Sequence, residues 1–250
     1  GLFSLAVASV SIAVAVIPAP VAWGPPAICH PLDIGAAASL PWGGGAFDID
    51  DDYNDDKYVD DRLLTDTRRL LRESDNLVEH METLRRSVIY ITGIARREDP
   101  PDAERNAAGA RLVALLVADL EAAPEGTSPR ELGILEFDVG YALAALSQAG
   151  ARQPQDGLAQ LTEAARLRPD DPATHLGYAI ATCGHGEASR ECYVHLDRLL
   201  TLVDGTPEHE QVERNTVRVI GSFLDANDRE ELAALVSRKL GKAFAGAGAG

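Results

Sequence analysis

Aromatic side chains make up only 5% of this 250-residue chain, with two Trp and one Met. Core and interfaces must therefore lean on Ala, Leu and Val. Cysteine is equally scarce: three residues cannot staple a small disulfide scaffold, and an odd count leaves at least one unpaired within the chain. Basic residues number 23 against 39 acidic ones, a formal net charge of −16. A chain built mainly to bind nucleic acid needs a basic face to displace counterions from phosphate, so that class is excluded. Catalytic signatures are missing too. His209-Glu210 is followed by Glu213 where a zinc protease needs its second His. There is no nucleophile elbow and no phosphate loop with its Lys. Gly43-Gly44-Gly45 and the C-terminal Gly/Ala run have neither a strand before them nor a helix after. The chain reads as a non-enzyme without a cofactor. A hydrophobic fraction of 46% over this length still permits a real core and excludes wholesale disorder.

The first 22 residues, GLFSLAVASVSIAVAVIPAPVA, carry no charge, and Leu5 to Ile17 is apolar apart from Ser9 and Ser11. An apolar run followed by small residues and Pro is the pattern of a secretory leader. It predicts export to a periplasmic or extracellular space. No Met or basic stretch precedes the run, as expected if the chain begins inside the leader. A retained membrane anchor is the alternative, although Leu2 to Ile17 is short of the ~20 apolar residues that span a bilayer. No span is expected in the mature chain. Ile28 before Cys29 is not the small residue that precedes a lipidated cysteine, and no Cys stands three residues upstream to complete a covalent haem motif.

Residues 23–57 form an arm, rich in Pro and Gly and then in Asp, with neither helical nor strand period. Phe47 to Asp61 holds eight Asp and one Lys, −7 of the −16, leaving −9 over the other 235 residues. Asp50, Asp52, Asn54 and Asp61 occupy positions 1, 3, 5 and 12 of a calcium-loop frame, but position 6 is Asp55 instead of Gly. A solvated acidic linker is the plainer reading.

Residues 58–244 have helical spacing, ahead of a Gly/Ala tail at 245–250. Leu63, Leu70, Leu77, Leu84 and Ile91 stand seven apart. They mark one long helix, or two broken near Glu73–Asn76 with Ser74 or Asp75 as the cap. A homo-oligomer zipped through these heptads is a possible architecture, but Thr67 and Ser74 weaken the alternate positions and favour packing within a bundle. Further helices are expected at about 103–123, 208–224 and 229–244.

Val139-Gly140-Tyr141-Ala142-Leu143-Ala144 recurs as Leu176-Gly177-Tyr178-Ala179-Ile180-Ala181, offset by 37 residues. Each copy lies in a helix that ends at Gly (Gly150 and Gly184), and each is followed by a second amphipathic helix, 157–167 and 188–202. Two helices per unit with a period in the thirties is the signature of a helical solenoid. Gly140 and Gly177 are expected to let the paired helix approach closely.

With Leu176-Gly177 followed by Gly184, and GLAQLTEAARLRPDDP over Gly157–Pro172, the chain resembles the tetratricopeptide repeat family across about residues 129–206. The resemblance implies an all-α fold of stacked antiparallel hairpins. It also implies that first helices line a groove for an extended peptide or a partner helix. Carried over by position, Phe137, Tyr141, Thr174 and Tyr178 would face that groove; packing between helices is the other role open to the tyrosines. A generic helical bundle is the plainer fold with the same periodicity.

Cys183-Gly184-His185 and Cys192-Tyr193-Val194-His195 invite a zinc test, but His195 lies ~12 Å along its helix from the turn at 1.5 Å per residue. Two buried thiols are expected, with a Cys183–Cys192 disulfide as the alternative after export. The expected function is thus an exported scaffold for protein–protein contact, its acidic arm favouring basic partners. An extracytoplasmic calcium- or zinc-binding protein is the alternative.

Overall fold

The computed structural model describes residues 25–42, 61–93, 101–183, 188–203 and 205–241. The apolar leader, the Asp run up to Asp60, Gly184, His185 and the Gly/Ala tail lie outside the described residues, and with them Asp50, Asp52 and Asn54 of the calcium frame.

Every regular element among the described residues is helical. A four-residue helix, α1 (Pro26–Cys29), is followed by α2 (Asp61–Arg72), α3 (Leu77–Thr92), α4 (Asp102–Glu121), α5 (Pro129–Gln148), α6 (Leu158–Leu167), α7 (Pro172–Cys183) and α8 (Arg190–Leu202). The chain ends in α9 (Pro207–Asn215), which runs through a π-helical segment (Thr216–Gly221) into α10 (Ser222–Leu224), and in α11 (Arg229–Lys239). The last helix closes at Lys239, short of the expected 244.

The heptad stretch is two helices. Asn76 caps α3, its Oδ1 accepting from the Val78 amide at 2.9 Å. Ser74 acts one step outside the cap: its Oγ accepts from the Asn76 amide and donates to Glu79. Three potential cappers stand in a row here, and the last of them starts the helix. Because α2 turns back against α3, Leu63, Leu70, Leu77, Leu84 and Ile91 are all buried in the chain's own core. The seam expected for a zipped homo-oligomer is therefore consumed within one molecule.

Consecutive helices pack as neighbours from α2 to α8, and α11 covers α8. The capping box of Ser128 and Glu131 starts α5, with Pro129 in the first turn where its missing N–H costs nothing. Helices α3, α5 and α7 touch one another at the centre. All twelve residues of α7 are buried, and fourteen of the sixteen in α3, including Glu82 and Arg85. Helices so covered need a second layer on each side. On one side it is supplied by the flanking helices. On the other it is residues 25–42, the Pro/Gly-rich part of the arm: Ala27, Ile28, Leu32, Ile34 and Leu40 are buried in the same core, and α1 touches α3, α5 and α7. The arm expected to be mostly unstructured is, over these residues, a strap.

The two repeat glycines have different neighbours. A Cβ on Gly140 would stand 2.8 Å from Leu161 Cγ and 2.9 Å from the Gly157 carbonyl, so α5 and α6 meet almost backbone to backbone, as expected. A Cβ on Gly177 would instead run into the Phe137 ring on α5. That glycine makes room for an aromatic of the preceding helix and not for its own hairpin partner.

Candidate interaction face

The strap is held largely by side chains gripping its main chain. Glu82 Oε2 accepts from the Leu32 amide at 2.9 Å, and Arg85 donates to the Ile28 carbonyl at 3.0 Å. Arg86 donates to the Leu40 carbonyl, and the Tyr90 hydroxyl to that of Pro41 at 2.9 Å. Gln148, at the end of α5, accepts from the Ala27 amide at 2.9 Å while its Nε2 donates to the Ile180 carbonyl in α7. From α9, Asn215 clasps both polar groups of Asp33: Oδ1 accepts from its amide at 2.7 Å and Nδ2 donates to its carbonyl at 2.9 Å. Backbone groups buried against helices need such partners. At the strap's end, Trp42 lies under the Arg85 guanidinium, 4.8 Å from the ring centroid, and edge-on to Tyr90.

At the centre of this grip is a charged cluster with no solvent. Glu82 and Arg85 are both 0% exposed and pair through two 2.8 Å hydrogen bonds. Arg86 adds another at 2.7 Å. Burial alone would raise the Glu82 carboxyl; the bonds and charges of Arg85 and Arg86 and the Leu32 amide outweigh it and hold the group below its usual range. These residues escaped the sequence reading. Their signal was three charges at i, i+3 and i+4 inside HMETLRRSVIYIT, a helix with no polar face to carry them.

The four residues expected to line a groove stand inside the helix packing. Phe137, Tyr141 and Thr174 are 0% exposed and Tyr178 is 6% exposed. Phe137 and Tyr141 stack at 5.7 Å, with Phe137 against Gly177. Tyr178 points to the second helices instead: its ring lies on His195 of α8 at 3.6 Å, and its hydroxyl is 3.3 Å from Thr162 of α6. Burial pushes the Tyr141 hydroxyl up, and it lies within the electrostatic reach of Glu82 and Arg85. That hydroxyl and Thr174 Oγ1 are buried without a hydrogen-bond partner.

The Cys/His cluster resolves differently from the thiols that were expected. Cys183 and Cys192 form a disulfide, their Cα atoms 5.4 Å apart across the α7–α8 turn. His195 Nδ1 faces His175 Nδ1 at 2.9 Å. The sulfurs are thus bonded to each other, and His195 is committed to His175 and Tyr178. No group of three His, Cys, Asp or Glu among the described residues is arranged to hold a metal ion. Cys29 is the free cysteine, half-buried in the strap, its thiol raised by burial.

Among the described residues no helix is long and apolar enough to cross a membrane. No protein-family model matches this chain, and no curated protein or solved structure matches it either.

Proposed function

We propose that this chain is an exported helical scaffold, resembling tetratricopeptide repeats, that works by protein–protein contact and holds an extended polypeptide segment on the face made by α3, α5 and α7. The observation that carries the reading is the strap: side chains of α3 and α5, joined by Asn215 of α9, grip it chiefly by its backbone amides and carbonyls. Main-chain hydrogen bonds of this kind supply affinity with little dependence on sequence, while pockets for individual side chains supply selectivity. The family resemblance bears on the helices alone, since there too the first helix of each hairpin lines the peptide groove; the four residues it singles out are packed between helices in this chain. Export is supported by the uncharged apolar leader and by the Cys183–Cys192 pairing, which persists in oxidising compartments.

The test is a library of extended peptides selected against the full chain. Binders should lose at least tenfold in affinity when Arg86→Ala and Gln148→Ala are introduced, and should ignore Arg166→Ala on the exposed side of α6. Binding that is equally strong after both groove substitutions places the contact elsewhere and overturns the reading.

A further inference from the structure

Resting on that reading of the α3–α5–α7 face, we propose that residues 25–42 are a resident competitor: an intramolecular stand-in that an incoming extended peptide displaces, so that access to the face is controlled by release of the strap.

The contacts suit a removable occupant. Most of the strap's polar anchors are main-chain groups, which any polypeptide possesses, so a competing peptide that follows the same path can reproduce them; Ser39 against Thr83 and Asp33 against Arg214 are side-chain exceptions. What the strap leaves behind is mixed in character, because Arg85 and Arg86 stay paired to Glu82 beside the apolar surface that Ile28, Leu32 and Leu40 cover. The central helices also keep unanswered polar groups. Tyr141 on α5 and Thr174 on α7 keep buried hydroxyls without partners. An orphaned buried hydroxyl costs on the order of 1–3 kcal/mol, and native structures carry few of them. A segment that answers the Tyr141 hydroxyl therefore has an advantage the strap lacks. The strap in turn has the advantage of belonging to the same chain: an attached ligand meets its site without the association entropy that a free peptide loses. A free peptide must overcome that, which is what makes the strap a gate.

Ser39 Oγ of the strap lies 3.1 Å from Thr83 Oγ1 of α3, so the pair Ser39→Cys/Thr83→Cys can be oxidised to a lock. The experiment uses the full chain carrying Cys29→Ser, in three forms: otherwise unchanged, locked by that disulfide, and loosened in the strap by Leu32→Asp/Leu40→Asp. The probe is a fluorescent synthetic peptide of residues 25–42 with the same Cys29→Ser change, followed by polarisation. Affinity is expected to rise at least tenfold from the unchanged to the loosened chain and to vanish in the locked one. Equal binding by locked and unchanged chains overturns the gate and leaves the interaction reading to be sought on another face. A loosened chain that keeps its helical circular dichroism and binds nothing overturns the interaction reading itself. Hydrogen exchange on the unaltered chain gives a second check: the Ala27 and Leu32 amides should exchange at least a hundredfold faster than those in the middle of α7. Equal protection of both would make the strap a permanent part of the core and sink the proposal.

Discussion

His175 and His195 meet through their Nδ1 atoms at 2.9 Å, so one of the two nitrogens donates and the other is bare. The second nitrogen of His175 donates to the Pro169 carbonyl. A neutral His175 then carries its proton on Nε2, and His195 is the donor between the rings. Burial lowers both groups. The neighbouring ring takes His195 further down, to about 4, against the pull of Glu191; His175 feels Arg198 on one side and Asp170 and Asp171 on the other.

An imidazole whose folded value is depressed must be kept neutral by the fold, so its contribution is present above the unfolded value and lost below it. Between pH 6.5 and about 4 the unfolded chain takes up a proton at His195 that the folded chain refuses. Unfolding free energy should fall across this window, by at most about 1.4 kcal/mol per pH unit, and by less because the ring is partly open to water. His195→Phe keeps a flat ring on Tyr178 and cannot titrate. Urea unfolding at pH 7.5, 6 and 4.5 should show the parent losing ground to this variant as the pH drops; a constant gap would contradict the assignment.

The His80–Asp138 pair has the opposite sign. His80 Nδ1 is 2.7 Å from Asp138 Oδ1, and Nε2 is 2.8 Å from the Ser74 carbonyl. Both partners are acceptors, so the ring must donate twice and is held as the cation. Burial opposes this, but the charge and bond of Asp138 and the Ser74 carbonyl outweigh it and raise the group. Its contribution is therefore full below pH 6.5 and lost as pH rises through the raised folded value. Asp138→Asn should cost about 3–5 kcal/mol, as removal of one partner of a buried pair does. The gap to the parent, measured by denaturant unfolding at pH 6 and pH 9, should be larger at pH 6.

Thiol counting tests the disulfide. Denatured protein isolated without reductant should show one free thiol per chain, Cys29, and mapping should yield one cross-linked peptide joining Cys183 to Cys192. Cys183→Ser/Cys192→Ser should lower stability by about 2–3 kcal/mol for so short a loop. Three thiols would restore the reduced pair.

The two repeat glycines should respond differently to Ala. Gly140→Ala pushes on backbone and should cost about 1–3 kcal/mol whatever stands at position 137. Gly177→Ala pushes on the Phe137 ring, so Phe137→Leu should relieve it by at least about 0.5 kcal/mol in a double-mutant cycle. Additive losses at Gly177 and Phe137 would mean that ring and glycine are not in contact.

Most helices were legible because their signals are local. Asp99-Pro100-Pro101 and Pro124 bracket α4, Gly150 and Gly157 bracket the α5–α6 turn, and the apolar period runs between them. The strap was not legible. Ala27, Ile28, Leu32 and Leu40 have no period, and the side chains that hold them lie 46 to 121 positions away in the chain. The same holds for the four expected groove residues. Register along a helix sets which residues share a face, but Tyr178 turns to His195 and Tyr141 stacks on Phe137 because of what packs beside each helix. The cluster of Glu82, Arg85 and Arg86 was visible as an anomaly, and only the strap explains it.

The π-helical segment Thr216–Gly221 begins immediately after Asn215, the residue that clasps Asp33. An α-helix advances about 100° per residue, and a π segment holds one residue more in its turn than an α-helix does. Val212 and Asn215 before it and Val219 and Ile220 within it are all buried. Deleting one residue there would rewind the helix to α register and swing the clasp about a quarter turn away from its hold. One of the holds on the strap thus adjoins a winding fault of one residue, and a single deletion there would release the Asn215 clasp while the grips of α3 and α5 stay in place.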